Sequence, residues 1–468
     1  MKNKYQTLAG NTVKLGLGTF GSKILVFLMV RFYTEYLSPA DYGTADLITQ
    51  TANLLIPLVS LGITDAVFRF VMDEAEDASG VFTTGLFVIL AGGVLTAVLS
   101  LPGNLALADG AWLIAAFILA SNFHTLASQF IRAKGDMTLF AVQGLLNTAL
   151  VIGLNILLLA VFHLGVTGYV LSTALADILT TGYLTVRARL WRFLKRPAKG
   201  TLPRMLRYCV PLIPTATFWW ITSVSDRYMI TSRLGSAANG IYAVSAKLPT
   251  ILTVLSSVFM EAWLFSAVTE RQDGAQAHLQ FYASVWRTFV AGMVLSASAV
   301  IAFSRLAVRL LAEDEFFSAW QFVPVLCLAM VFAAFSTFLS SVYVVSKKST
   351  LSFWTALLGA GSNVLLNLLL IPRIGILGAA AATLASYVLV FLVRAVSIRR
   401  LLPFSLAIPT VLLDTVLLTA QAVFLTLQLP GWMPVQAFCL TLLLILNGKP
   451  LLLAAEKLFG ARRKGENK

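Results

Sequence analysis

Four basic residues lie inside or at the edges of long apolar runs of this chain: Lys23, Arg31, Arg227 and Lys247. An ionised side chain at a bilayer centre costs about 2.5–3.5 kcal/mol on insertion scales, so it faces a cavity or a partner. Ammonium and guanidinium groups pair with anions, which makes the four a candidate set for binding an anionic ligand. Asn53, Asp177 and Asp226 accompany them as candidate polar or coupling partners. Each cation has a second reading. Lys23 pairs with Asp177, Lys247 with Asp226 or another acid, Arg227 is neutralised by Asp226 beside it, and Arg31 snorkels to the interface. Arg287 snorkels likewise. Asp414 and Lys449 fall at matched depth in two later apolar runs and read as one structural ion pair.

Catalytic and metal chemistry has little support. Cys209, Cys327 and Cys439 lie far apart, as do His124, His163 and His278, and neither set has a ligand or CxxC spacing. No metal and no cofactor is expected.

The elements that must position these charges follow from composition. Of 468 residues, 58% are apolar and 12% charged, against about 25% charged in soluble domains. A soluble enzyme, a disordered scaffold and a disulfide-rich secreted domain are excluded. Apolar runs predict about fourteen transmembrane helices near residues 12–33, 44–63, 81–101, 111–131, 139–162, 168–186, 209–231, 239–262, 281–303, 319–345, 350–371, 375–396, 403–429 and 434–458. The first is no cleaved signal peptide, since it carries Lys14 and Lys23.

The net charge of +14 does not mean nucleic acid in such a chain; it asks which side the positive residues face. With a cytoplasmic N-terminus, 24 of the 35 Lys and Arg residues lie on inward segments and 4 on outward ones. Both termini are therefore expected inside. Eight of the inward charges crowd into residues 187–207, interleaved with Leu190, Trp191, Phe193 and Leu194. That segment reads as a basic linker that sets topology, attracts anionic lipid, or docks a cytoplasmic glycosyltransferase. The acidic run Asp73-Glu-Ala-Glu-Asp77 reads as a solvated inner loop.

An internal repeat is legible. Leu37-Ser-Pro-Ala-Asp-Tyr-Gly43 and Leu234-Gly-Ser-Ala-Ala-Asn-Gly240 share Leu-small-x-Ala-x-x-Gly, 197 residues apart. Gly165-Val-Thr-Gly168 with Thr173 and Gly375-Ile-Leu-Gly378 with Thr383 stand 210 apart, after Asn155-Ile-Leu-Leu-Leu and Asn367-Leu-Leu-Leu-Ile. An even number of spans per copy makes the repeats parallel, as in transporters whose halves rock about a central cavity. The expected organisation is an all-α polytopic membrane protein. Residues 1–200 form a six-helix lobe with its basic linker, 201–400 a second six-helix lobe, and 401–468 an extra two-helix hairpin with a basic tail.

Several of these stretches resemble a known family. Gly21-Ser-Lys-Ile-Leu-Val-Phe, Tyr33-Thr-Glu-Tyr-Leu-Ser-Pro-Ala-Asp-Tyr-Gly-Thr-Ala-Asp46, Asn53-Leu-Leu-Ile-Pro-Leu, Gly62-Ile-Thr-Asp-Ala-Val-Phe-Arg69 and the Arg132-Ala-Lys-Gly135 turn are similar to the polysaccharide-export branch of the multidrug/oligosaccharidyl-lipid/polysaccharide exporter superfamily. The resemblance implies a MATE-like fold with a cationic cavity between two lobes. It further implies a flippase moving undecaprenyl-pyrophosphate-linked oligosaccharide across the bacterial cytoplasmic membrane by alternating access. The expected partners are that glycan lipid, membrane lipids and cytoplasmic glycosyltransferases. Asn53, Trp219, Trp220 and Tyr242 would contact sugars or simply pack. The competing reading on the same fold is a cation-coupled multidrug or small-molecule antiporter, which needs a buried carboxylate; Asp177 is the one deep acid of the first lobe. A membrane polymerase or ligase would need catalytic groups on a large outer loop, and the outward loops offer only Asp109, Glu313-Asp-Glu315 and four arginines.

Overall fold

The structure is a computed structural model that describes residues 29–73, 75–100, 110–196, 200–269, 275–346 and 348–466. It is helical, with no strand among the described residues. The chain divides into two compact units, one ending at Trp220 and one starting at Ile221. Residues 201–220 therefore belong with the first unit, and residues 401–468 with the second.

The first unit follows helical residues 29–36 with α1 (Pro39–Val59), α2 (Ile63–Val71), α3 (Ala78–Leu99), α4 (Ala111–Ala133), α5 (Met137–Asn155), α6 (Gly165–Arg187) and the short α7 (Thr201–Cys209). The helix α8 (Ile213–Leu234) crosses the boundary. The second unit continues with α9 (Ser236–Ser245), α10 (Thr250–Thr269), α11 (Ala275–Leu311), α12 (Val323–Val345), α13 (Ser349–Ile398), α14 (Ile408–Thr426) and α15 (Trp432–Glu466).

Because these helices are apolar on most faces, polarity does little to mark their ends; caps and turns do. Ser38 accepts from the backbone N–H of Asp41 ahead of Pro39, which opens α1. Asp77 accepts from Ser79 N and Gly80 N at the start of α3, and Asp136 from Leu139 N at the start of α5. Leu61 and Gly62, both at positive φ, break α1 from α2 with a 55° bend. Large apolar side chains such as Val94, Val186 and Ile445 are more than 60% exposed, as a lipid-facing surface requires.

Nine helices among the described residues are long and apolar enough to cross a membrane, or eleven if the bent pairs α1/α2 and α9/α10 each count once. The expectation was fourteen, and three expected spans account for the difference. The span at 12–33 falls almost wholly outside the described residues. The helix α8 is diluted by Asp226, Arg227, Arg233 and its many Ser and Thr. The 50-residue α13 covers two expected spans and breaks between them at Ile374 and Gly375.

The repeat has a physical basis in each unit. Gly165 and Gly375 both sit at positive φ, +53° and +61°. Gly168 and Gly378 both press their Cα against a carbonyl of the preceding helix: an added Cβ would lie 3.1 Å from Leu158 O and 2.5 Å from Leu370 O, respectively. Asn155 and Asn367, buried in the two copies, each donate one turn back, to Val151 O and to Asn363 Oδ1.

The basic segment, expected as a linker, is docked on the first unit. Thr83 Oγ1 donates to Phe193 O and accepts from Lys195 N, both at 3.1 Å. Thr201, Met205 and Cys209, four residues apart, form the buried face of α7 against α2 and α3. Arg204 binds Glu76 through two contacts of 2.5 and 2.9 Å. The acidic run is thus not merely solvated: Glu76 holds α7 and Asp77 caps α3.

Candidate functional site

Each unit encloses a cluster of buried polar side chains in an otherwise apolar interior. In the first, α4, α5 and α6 converge on Asp177. Its Oδ2 accepts from Ser121 Oγ at 2.5 Å, and its Oδ1 from Asn147 Nδ2 at 2.9 Å. His124 Nδ1 lies 3.0 Å from the same Oδ1, and its Nε2 lies 2.7 Å from Gln143 Oε1. Gln143 donates onward to Ser128, and Asn147 also reaches Thr180 Oγ1 at 3.3 Å. Asp177 is 6% exposed and Gln143 5%. A carboxylate on α6 bound by three polar side chains from α4 and α5 holds the three helices in register, because each group left unmatched in lipid would carry its full desolvation penalty.

In the second unit, α8, α9 and α13 converge on Asp226. Its Oδ1 accepts from the backbone N–H of Arg227 at 2.9 Å, and its Oδ2 from Tyr242 OH and, at 3.3 Å, from Thr383 Oγ1. Thr383 accepts from Asn363 Nδ2 at 3.4 Å; Asn363 Oδ1 accepts from Ser225 Oγ and Asn367 Nδ2. Asn363 and Asn367 are fully buried, Asp226 and Tyr242 2% exposed. The Oδ1 of Asn367 makes no hydrogen bond. Carboxylate, amide and hydroxyl oxygens are hard donors, so this cluster fits a proton or an alkali cation better than a transition metal. No group of three His, Cys, Asp or Glu side chains that could hold a metal occurs among the described residues.

The expected cations take up different positions. Lys23 lies outside the described residues. Arg31 is exposed on helical residues 29–36. Arg227 is half-buried beside the Asp226 cluster, its Cζ 5.8 Å from the centre of the Tyr242 ring. Lys247 occupies the break between α9 and α10, where the two helices bend by 48°, and is half-buried. Asn53 is exposed on α1.

One expected ion pair takes another form. Asp414 is buried, but its Oδ1 accepts from Asn447 Nδ2 at 2.8 Å, while Lys449 is exposed. Two residues turn a helix by 200°, so Asn447 and Lys449 sit on nearly opposite faces of α15 and only the amide can reach Asp414. Arg394, counted from sequence as a loop charge, is 1% exposed in α13 and donates to Thr355 Oγ1 and to Ser336 O at 2.7 Å. Sequence reasoning missed His124, Gln143, Asn147, Asn363 and Thr383 as members of the clusters. The available signals were the pairings of Thr173 with Thr383 and of Asn155 with Asn367 in the repeat.

Comparisons with known proteins come to the same architecture. An uncharacterized membrane protein of Methanocaldococcus jannaschii, MJ1375, is 24% identical over 428 residues, which cover 84% of this chain and 99% of that protein. A solved structure of the lipid II flippase MurJ in an inward closed conformation has a TM-score of 0.69 at 14% identity, covering 93% of this chain and 98% of that one. An outward-facing multidrug resistance MATE family transporter of the MOP superfamily gives 0.54 at 16% identity, covering 83% and 95%. The fold is thus MurJ- and MATE-like. The family model described as polysaccharide biosynthesis protein matches residues 8–265, more than half of the sequence, and the chain belongs to that family.

Proposed function

We propose that the chain is a flippase carrying undecaprenyl-pyrophosphate-linked oligosaccharide from the cytoplasmic to the outer leaflet of a bacterial cytoplasmic membrane, with both termini inside. The observation that carries this reading is the family match over residues 8–265 in a chain whose fold is shared with a lipid II flippase. The half-buried Arg227 and Lys247, one beside a buried carboxylate and one in a helix break, support it, since broken helices and intramembrane cations mark transport sites. Outward movement of an anionic head group against an inside-negative potential gains about 2.3 kcal/mol per charge per 100 mV. A potential-driven uniporter therefore needs no further coupling, and Asp177 and Asp226 are the groups a proton or sodium step would use.

The test is depletion of the protein in a strain lacking redundant flippases, followed by analysis of lipid-linked glycans on the cytoplasmic leaflet. Accumulation of one undecaprenyl-linked glycan, reproduced in part by Arg227→Gln and Lys247→Gln, is expected. Absence of accumulation sinks the reading. A cation-coupled antiporter is the second reading, favoured by the buried Asp177. Dye efflux abolished by Asp177→Asn but indifferent to Lys23→Ala would establish it instead.

A further inference from the structure

We propose that residues 187–196 and 200–212 form an in-plane binding element for anionic phospholipid head groups of the cytoplasmic leaflet. The inference rests on the orientation adopted in the proposed function. It does not depend on the glycan.

The segment is a built surface with two faces. Leu190, Met205 and Cys209, each under 5% exposed, are its anchors in the first unit. The side turned away carries Trp191 and Leu194, both 50% exposed, with Leu202 and Tyr208 at about 40%. Between these apolar groups stand Arg189, Arg192, Lys195, Arg196 and Arg207, all exposed. Arg189 adopts positive φ (53°), which turns the chain sharply out of α6 before the single 3-10 turn Leu190–Phe193. Within the segment, Arg204 is the one side chain in an ion pair among the described residues. Folding adds a further cation from elsewhere in the sequence: Lys134 Nζ lies 5.7 Å from the Phe193 ring centre.

Exposed Trp, Tyr and Leu alternating with Arg and Lys suit one environment, the boundary between head groups and acyl chains. There the rings and aliphatic groups leave water while the cations stay at the phosphate level. A protein partner would favour a compact apolar patch with few charges at its centre, whereas here Trp191, Leu194, Leu202 and Tyr208 each have a cation within three positions. The charge complement is an anionic leaflet, whose attraction acts on every Lys and Arg near the surface.

The test uses the full chain in neutral detergent, titrated with phosphatidylglycerol or phosphatidylcholine and read by native mass spectrometry. Selective retention of phosphatidylglycerol is expected, weakening about fivefold for each charge removed in the series Arg189→Gln, Arg192→Gln, Lys195→Gln, Arg196→Gln, Arg207→Gln. Replacement of the four arginines by lysine preserves it. Equal retention of the two lipids, or undiminished retention by the five-fold variant, overturns the inference. So does selectivity for a polyprenyl diphosphate alone, or capture of a purified glycosyltransferase in place of lipid. If the five-fold variant does not fold, Arg192→Gln and Lys195→Gln carry the test singly. Lys195→Cys, probed with an impermeant maleimide on intact cells, checks the leaflet: protection is expected. Labelling overturns the leaflet and the proposed orientation together, while loss of lipid selectivity alone leaves the flippase reading standing.

Discussion

His124 on α4 and Asp177 on α6 meet inside the first unit, Nδ1 to Oδ1 at 3.0 Å, although 53 positions separate them in sequence. The pair joins two helices that do not follow one another in the chain, and Gln143 and Asn147 bind α5 to the same point. His124→Leu should therefore lower the thermal midpoint of the detergent-solubilised protein, with a loss of about 1–3 kcal/mol as the carboxylate keeps only Ser121 and Asn147 as partners. His124→Asn, which keeps a donor, should recover part of it. Equal midpoints for the two variants would show that the pair does not hold the helices.

In the second unit the Tyr242 hydroxyl is a donor to Asp226. Tyr242→Phe leaves that carboxylate with the Thr383 hydroxyl and one backbone N–H, and should destabilise by about 1–3 kcal/mol. Asp226→Asn preserves shape and should fold, yet lose most transport of the lipid-linked glycan. A fully active Asp226→Asn variant would remove Asp226 from any coupling role.

Gly378 and Gly144 make a contrasting pair. A Cβ at 378 would stand 2.5 Å from the Leu370 carbonyl oxygen, a backbone atom that cannot rotate away, whereas at 144 nothing lies within 4 Å. Gly378→Ala should cost about 1–3 kcal/mol through displaced backbone, and Gly144→Ala should be neutral or stabilising by up to about 1 kcal/mol. Melting of both variants in the same detergent decides it.

Asp414 is held by Asn447 and not by Lys449. Asn447→Leu should destabilise the α14/α15 hairpin, and Lys449→Gln should leave the melting midpoint within error of wild type. A large effect of Lys449→Gln would restore the ion pair expected from sequence.

Much of the architecture was legible because a bilayer imposes rules on sequence directly. Apolar length marks helices, and Pro, Gly and capping Ser or Asp mark their ends, as at Ser38-Pro39 and Gly375. The repeat was legible because Gly168 and Gly378 each meet a carbonyl, tightly at 168 and too closely for any Cβ at 378. The sites were less legible. Depth along a helix can be counted from sequence, but the direction in which a side chain points cannot. Asp414 was assigned Lys449 and has Asn447, and no pattern in the sequence pointed His124 at Asp177.

By itself the sequence determined that this is a polytopic helical membrane protein and where most of its long apolar helices run. These are one-dimensional properties, set by transfer free energy and local backbone chemistry. Only the tertiary structure decided which described charges have which partners, that the basic segment is a docked two-faced element, and which side chains join Asp177 and Asp226 in two buried polar clusters. Those depend on which helices neighbour each other and on their rotation, and a helix that is apolar on nearly every side carries no amphipathic pattern from which rotation could be read.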